Sequence, residues 1–430
     1  KNVFVIGLDD FNRKLLSRLP LAEECTFHAA LDKEEIRGVG EFDVDEMVER
    51  ASQRMHELGE PIHAIATYWD FPGTTILPVL CKRFDVPGPS IQAVLACEHK
   101  YWSRLEQQKA IPDHIPQFQA FDPFEEDAFE NLDLIAPFWI KPVKSFKSYL
   151  SYRINGPQHF KEVMEQVRAE IDYIVDPFRL IMRRHSRRPE FAHMKESCLA
   201  ESSLTGAMCT LEGYVYRGEV VGYAVIDSVR ESDRSSFARY EYPSALPLEV
   251  QLRMIDVARR AVLEIGLDNS PFNIEFFYDP TADNVYLLEI NPRISQAHTD
   301  MMEKVHGVSH LQVMLALALG RKPKPLAFHG QFGVAAQFMM RTYFDGEVKT
   351  VPTEEALQQL RAEQPDTKVK ILVDPGAQLS ELRMQDSYSY ELADVFIGGR
   401  DRSDLMEKYA RACELLAFEI DHGEQVVPAG

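Results

Sequence analysis

One stretch limits the folds open to this chain more than any other: Val285-Tyr-Leu-Leu-Glu-Ile-Asn-Pro-Arg-Ile-Ser295. It reads as a strand that must stop at Pro292, because proline cannot donate to a ladder. Side chains alternate faces along a strand, so Glu289 and Asn291 share one face. A second strand, Phe272-Asn-Ile-Glu-Phe-Phe-Tyr278, lies upstream, and the intervening Asp279-Pro-Thr-Ala-Asp-Asn284 is rich in turn formers. A hairpin in this register brings Glu275 near Glu289, with Arg293 just past the strand end. Oxygen ligands of this kind suit Mg²⁺, which takes one or two carboxylates together with substrate phosphates. A solvated edge hairpin would account for the same charges. However, Glu275 sits within an apolar run and Glu289 between Leu288 and Ile290, where a bare charge is costly.

With 430 residues, 45% of them apolar, the chain has enough material for two or three domains and ample core. The net charge of −20 argues against a nucleic-acid backbone or an anionic membrane as partner. The longest apolar runs are far too short to span a bilayer, and no cleavable signal segment is expected at the start. The first residue is Lys1 rather than Met, so the numbering is expected to begin inside a longer product. None of the six cysteines forms a Cys-x-x-Cys pair, so neither a zinc cage nor a disulfide framework is indicated. Reduced thiols in a cytoplasmic protein are expected.

The chain opens with the short strand Val3-Phe-Val-Ile6 and an amphipathic helix whose apolar side carries Phe11, Leu15, Leu16 and Leu19, as in a doubly wound α/β sheet. The intervening turn has one glycine and two aspartates, too few glycines and too many anions for a pyrophosphate site. A helix over 44–58, a strand over 63–67, a loop from Trp69 to Thr75 and a helix over 75–84 complete a Rossmann-like first domain. The segment Ile91–Gln108 reads as one helix containing Lys100. Phe138-Trp-Ile-Lys141-Pro-Val is a strand whose buried lysine needs a carboxylate or phosphate partner. Lys144-Ser-Phe-Lys-Ser-Tyr149 then makes a loop able to cover phosphates, before the strand Leu150–Ile154. The basic run Arg183–Arg188 is either a solvated helix end, the favoured reading, or a clamp for an acidic substrate. Cys198–Gly206 is a strand running into a tight link, and Cys209–Tyr216 and Glu219–Ile226 form a hairpin across Arg217-Gly218. Arg230–Tyr242 is polar and long enough to be a lid carrying Arg239 and Tyr240. A helix from Pro247 to Ile265 turns Leu248, Leu252, Ile255, Val262 and Ile265 to one face, and Ser309 caps a helix through Leu319. Strands near 335–342 and 368–373 and helices near 353–363 and 401–418 close the chain.

Taken together, these features resemble the ATP-grasp superfamily of carboxylate-activating ligases, over roughly residues 1–330. The Glu-x-Asn-Pro-Arg pattern after a Glu-bearing strand is the most specific match. The resemblance implies an α/β (α+β) ATP-grasp fold with an N-terminal Rossmann-like domain (1–95), an ATP-grasp domain of two subdomains divided near 195–205 (96–329), and a C-terminal α/β cap (330–430). It also implies that Lys100 and Lys141 contact ATP phosphates, with Lys147 and Ser148 in the covering loop. Leu199-Ala-Glu201-Ser202-Ser-Leu204 resembles the link that pairs with adenine, with Glu201 at the acidic position. Glu275, Glu289 and Asn291 match the metal ligands, holding two Mg²⁺ (or Mn²⁺), and Arg293 matches the arginine that steadies the transferred phosphoryl group. Two positions depart from the family: the loop 144–149 lacks glycine, and the ribose-binding acid is replaced by Met208. Glu212 is the candidate to serve ribose or substrate instead.

Biotin carboxylases share this architecture, and are similar in carrying a base and a histidine after the arginine. Here Arg293 is followed by Ile-Ser-Gln-Ala-His298. The histidine remains, but Ala297 stands where the base belongs, and an alanine cannot take a proton. The segment Ser295–His298 instead resembles amino-acid and dipeptide ligases. The expectation is therefore an ATP-dependent carboxylate–amine ligase working through an acyl phosphate. Ser295 and His298 would line the acceptor side, although His298 serves equally well as a cap for the next helix. The partners expected are ATP, a small carboxylate and an amine, with no nucleic acid or membrane; a homodimer is compatible with this. The alternatives are a biotin carboxylase-like enzyme and a non-catalytic ATP-binding regulatory protein.

Overall fold

The structure is a computed structural model that describes residues 1–37, 43–145, 149–231, 236–382 and 388–422. Lys147 and Ser148, expected in the phosphate loop, lie outside the described residues. The chain divides into two compact units, the first comprising 1–225, 245–296 and 309–326, the second 226–244, 297–308 and 327–430. No helix among the described residues is long and apolar enough to cross a membrane.

In the first unit, Asn2–Leu8 is the central strand of a three-stranded parallel sheet, flanked by Thr26–Asp32 and Ile62–Thr67. Phe4, Ile6 and Ile65 pack with Met47, Val48 and Leu80 from the helices Val44–Glu57 and Gly73–Arg83. The Asp9 side chain caps Asp10–Leu16 by accepting from the Asn12 N–H. That helix is shorter than expected and buries Leu15 and Leu16, while Phe11 is exposed. The segment expected as one helix from 91 to 108 is two, Ile91–Glu98 and Lys100–Ala110. His99 leaves helical geometry between them, and its side chain caps the second helix by accepting from Trp102 N. The break frees the Lys100 N–H to donate to the Val143 carbonyl at 2.8 Å, tying the helix start to the strand Phe138–Pro142.

That strand belongs to a four-stranded antiparallel sheet, in the order Phe118–Phe121, Cys198–Ser202, Phe138–Pro142, Tyr152–Ile154. The last strand starts two residues later than expected, because Leu150 has φ of 53° and turns the chain. The basic run Arg183–Arg188 ends the helix Asp172–His185, and its residues pair with surface acids, Arg184 with Asp45 and Arg188 with Glu190. It is a helix end, as the simpler reading held.

A further antiparallel set carries the hairpin of Glu275 and Glu289: Asn284–Asn291 pairs with Ser270–Asp279, which pairs with Ala207–Tyr216. The helix Leu248–Ile265 covers it with Val250, Met254, Val257, Ala258, Ala261 and Val262. This stripe runs i, i+4, i+7, i+11, the spacing of one helical face. It displaces the face expected from Leu248 and Leu252, which are exposed.

In the second unit, Phe237–Tyr242 pairs with the end of Glu219–Arg230 on one side and with Val334–Thr342 on the other. The expected lid is thus a strand from 237 onward, and Arg239 and Tyr240 are ladder residues. They cannot swing over a ligand without breaking two rows of backbone bonds. The polar sequence misled because its charges are satisfied inside the sheet layer: Arg239 donates to buried Glu241, which Arg402 also meets. Tyr390–Gly399, not anticipated as a strand, lies between Val334–Thr342 and Lys368–Ile371. Phe338, Ile397 and Leu405 form part of the core there. The helix expected from Ser309 starts at Leu311 with His310 at its N-cap, while Ser309 Oγ accepts from Leu311 N.

The link after Cys198–Ser202 depends on Gly206, whose φ is +107° and where a Cβ would meet the Tyr278 carbonyl oxygen at 2.1 Å. Gly206→Ala is expected to cost about 1–3 kcal/mol, read as a lower urea midpoint; an unchanged midpoint would contradict this account of the link.

Candidate active site

The hairpin register sets Glu275 directly opposite Glu289 and Asn273 opposite Asn291, with a bulge after Glu275. Alternation then turns Glu275, Glu289 and Asn291 to one face. Two carboxylates facing each other in a buried layer repel, and the structure answers with cations from elsewhere in the unit. Lys100, at the start of its helix, meets Glu289 and donates to the Ser145 carbonyl at 3.2 Å. Lys141 reaches Glu201 at 2.6 Å, and Arg104 donates to the same carboxylate at 2.5 Å. Arg104 also donates to the carbonyls of Leu287 at 2.9 Å and Leu288 at 2.7 Å, linking the four-stranded sheet to the strand that bears Glu289. Beyond Arg293 a second network forms. Arg293 donates to Asp70 at 3.1 and 2.5 Å, Asp70 lies 3.6 Å from Lys144, and Lys144 donates to Glu98 at 2.7 Å.

The protonation of these groups follows from their surroundings. Burial, reinforced by the facing Glu289, pushes the Glu275 carboxyl up to about 7. Burial would also raise Glu289, but Lys100 and Lys141 outweigh it and hold that carboxyl below its ordinary value. Burial in turn lowers Lys100 despite its partner. Against the same burial, Arg104 and Lys141 hold Glu201 at about 2. Burial likewise opposes ionisation of Asp70, but Arg293 and Lys144 keep it well below the usual carboxylate range. Burial raises Glu98, and its Lys144 partner only partly offsets this. The face is therefore a tightly balanced set of ions in which the charge of Glu275 is poorly compensated.

Several expectations change on this geometry. Of the two partners open to buried Lys141, a carboxylate or a phosphate, the chain supplies the carboxylate of Glu201. Glu201 aims inward at two cations. Ser202 N–H donates to the Gln117 carbonyl at 2.9 Å, and Leu204 follows the strand in a half-buried position. Glu212 is fully buried and holds groups of the chain itself, accepting from Asn273 at 2.7 Å and from the Ser295 N–H at 3.2 Å. His298, in the second unit, stands at the N-cap of the helix Thr299–His306 without a side-chain capping bond and packs edge-on to Tyr240. Sequence reasoning missed Asp70, Glu98, Arg104 and Lys144. Asp70 had a signal, since the loop Trp69–Thr75 follows the carboxyl end of a strand, where α/β sheets gather ligand-binding groups. Its neighbours Trp69 and Phe71 serve the core, the Trp69 indole donating to the Gly7 carbonyl.

Among the described residues no set of three His, Cys, Asp or Glu side chains forms a ready-made metal cage. The donor set Glu275, Glu289 and Asn291 nevertheless fits Mg²⁺, which completes its shell with water and phosphate oxygens, and the poorly compensated Glu275 is what a cation would relieve. Lys100, Arg104, Lys141, Glu201 and Glu289 crowd the space beside it, leaving a cavity of about 10 Å³.

Comparison with known proteins places this arrangement. Residues 134–300, which include Lys141, Glu201, Glu275, Glu289, Asn291 and Arg293, match the ATP-grasp domain. This stretch is an ATP-grasp domain. The chain is 26% identical over 113 residues to the carbamoyl phosphate synthase large chain of Paenarthrobacter aurescens, a match spanning 26% of this chain and 9% of that protein. The solved L-amino acid ligase of Bacillus licheniformis is similar over 97% of this chain and 98% of its own, at 17% identity and a TM-score of 0.72. The biotin carboxylase domain of the Hydrogenobacter thermophilus 2-oxoglutarate carboxylase, solved with MgADP and bicarbonate, covers 98% and 91% at 14% identity and a TM-score of 0.63. The mixed α/β ATP-grasp fold therefore extends over nearly the whole chain.

The raised Glu275 carboxyl has a measurable consequence. It binds its proton more tightly folded than unfolded, so its contribution to stability is complete below the ordinary value of 4.5 and is lost as pH rises to about 7. Glu275→Gln keeps the neutral shape at every pH. In chelator, the variant's urea midpoint minus that of the parent is expected to grow between about pH 4.5 and about pH 7; a difference that shrinks over this range would contradict the burial argument.

Proposed function

We propose that this chain is an ATP- and Mg²⁺-dependent carboxylate–amine ligase that forms an amide through an acyl phosphate, acting on amino acids or small carboxylic acids. The observation that carries this is the convergence of Glu275, Glu289 and Asn291 with Lys100, Lys141 and Arg293 within an ATP-grasp domain. The likeness to an L-amino acid ligase over nearly the full chain supports it.

In this mechanism an ionised carboxylate oxygen attacks the γ-phosphorus of ATP and ADP departs, leaving an acyl phosphate. The amine nitrogen then attacks the acyl carbon, phosphate leaves and the nitrogen sheds a proton. Mg²⁺ held by Glu275, Glu289 and Asn291 would neutralise charge on the phosphates. Lys100 and Lys141, now tied to Glu289 and Glu201, exchange those partners for phosphate oxygens as the cavity beside them opens. Glu201, itself held by Arg104, keeps Lys141 in place until that exchange. Arg293 steadies the acyl-phosphate oxygens, a preorganised cation at the point where charge develops. Ser295 lies on the acceptor side. The setting proposed is cytoplasmic.

A biotin carboxylase-like reaction shares the fold but needs a base for bicarbonate, a term worth about 10²–10⁴ in rate. Ala297 supplies none, whereas a ligase's attacking carboxylate is already ionised at neutral pH. The test is phosphate release from Mg²⁺-ATP in a screen of paired amino acids, small acids and amines, read for amide by mass spectrometry. Beside it runs labelled bicarbonate with free biotin. Amide in the first series and no carboxybiotin in the second is the expected result; carboxybiotin alone would overturn the ligase. Glu289→Gln should abolish turnover with the far-UV spectrum unchanged, and wild-type turnover in that variant would sink the metal assignment.

A further inference from the structure

The turn that carries Arg293 is held from behind by a buried polar cluster to which the proposed chemistry gives no role. His310 is fully buried at the N-cap of Leu311–Ala318. Its Nε2 lies 3.0 Å from the Ser295 carbonyl oxygen and its Nδ1 3.2 Å from the Tyr223 hydroxyl. A carbonyl can only accept, so Nε2 must carry the proton. Nδ1 faces the Tyr223 hydroxyl and, at 3.9 Å, the Glu212 carboxylate. The other backbone polar group of Ser295 is also held: its N–H donates to Glu212 Oε1 at 3.2 Å, and Asn273 donates to that same oxygen at 2.7 Å. Ser295 follows Arg293 by two residues, and the Arg293 N–H closes the turn onto the Asn291 carbonyl at 2.8 Å.

We propose that His310 is a positioning residue for the ligase reaction, clamping the Ser295 backbone together with Glu212 and so fixing the turn that aims Arg293 at the acyl phosphate. The proposal rests on the ligase reading for its kinetic part only. Both backbone polar groups of one residue, Ser295, are held by fully buried side chains, and each side chain is oriented by a further partner. That is more restraint than closing the turn needs. It suits a group whose misplacement by about 1 Å can cost on the order of 10²-fold in rate.

The test uses the full chain. His310→Leu removes the donor to Ser295, and His310→Gln restores an amide N–H at the reach of Nε2. With a substrate pair from the phosphate-release screen, kcat should fall about 10²-fold in His310→Leu and recover at least ~10-fold in His310→Gln, with KM for Mg²⁺-ATP within about twofold throughout. Equal kcat in His310→Leu and wild type, no recovery in His310→Gln, or a parallel loss of ATP affinity would overturn positioning. A second measurement stands whether or not a substrate pair is found. Long-range ¹H–¹⁵N correlation of histidine-labelled protein should show a proton on His310 Nε2, and hydrogen exchange of the 293–298 peptide should quicken in His310→Leu and less in Tyr223→Phe. An Nε2 without a proton, or unchanged exchange in His310→Leu, would overturn the clamp itself. A failed screen would count against the ligase reading alone.

Discussion

The first unit is built around a repulsion: Glu275 and Glu289 face each other across a two-stranded register, inside a sheet layer. Burial and a like charge both disfavour the second ionised carboxylate, and Glu275 absorbs the cost by holding its proton near neutral pH. Glu289 stays charged because Lys100 reaches it, and Lys100 does so because the chain leaves helical geometry at His99. A local backbone break thus answers an electrostatic demand set nearly two hundred residues later. The same logic repeats outward, with Glu201 between Lys141 and Arg104, then Asp70 between Arg293 and Lys144.

On the proposed function, this arrangement would suit a buried site to a highly charged ligand. Isolated cations gathered for a triphosphate would be costly in a protein without it. Here each of Lys100, Lys141 and Arg293 has a carboxylate partner from its own chain, and in the proposed reaction a phosphate would take that partner's place. Release of Lys100 to a phosphate would then leave Glu289 to the cation.

The layers behind the site serve position rather than charge. Arg104 spans from Glu201 to the carbonyls of Leu287 and Leu288, fastening the strand that bears Glu289. The helix Leu248–Ile265 presses its Val250, Met254, Val257 and Ala261 stripe against the hairpin, so the register that opposes the two glutamates is locked by apolar burial on the other face.

How much of this was legible follows the range of the interactions. The hairpin, its turn and the shared face of Glu289 and Asn291 were readable because alternation and turn chemistry act within a few residues, and so was the parallel opening of the chain. The ATP-grasp resemblance rested on that same local pattern. Features that depend on distant partners were not readable. The carboxylate that meets Lys141 lies sixty positions away. Asp70 meets Arg293 across more than two hundred, and His310 holds Ser295 only because its helix start packs behind the turn. Arg239 and Tyr240 looked like a mobile polar loop because nothing nearby in sequence shows that two strands flank them. Leu248 and Leu252 looked like core because periodicity names a helix's faces but not the one that is covered. The sequence by itself determined the central hairpin, its register and the types of donor on it. The tertiary structure decided which charges neutralise one another, since burial and the approach of remote side chains set the cost of every ion, and neither is a local property of the chain.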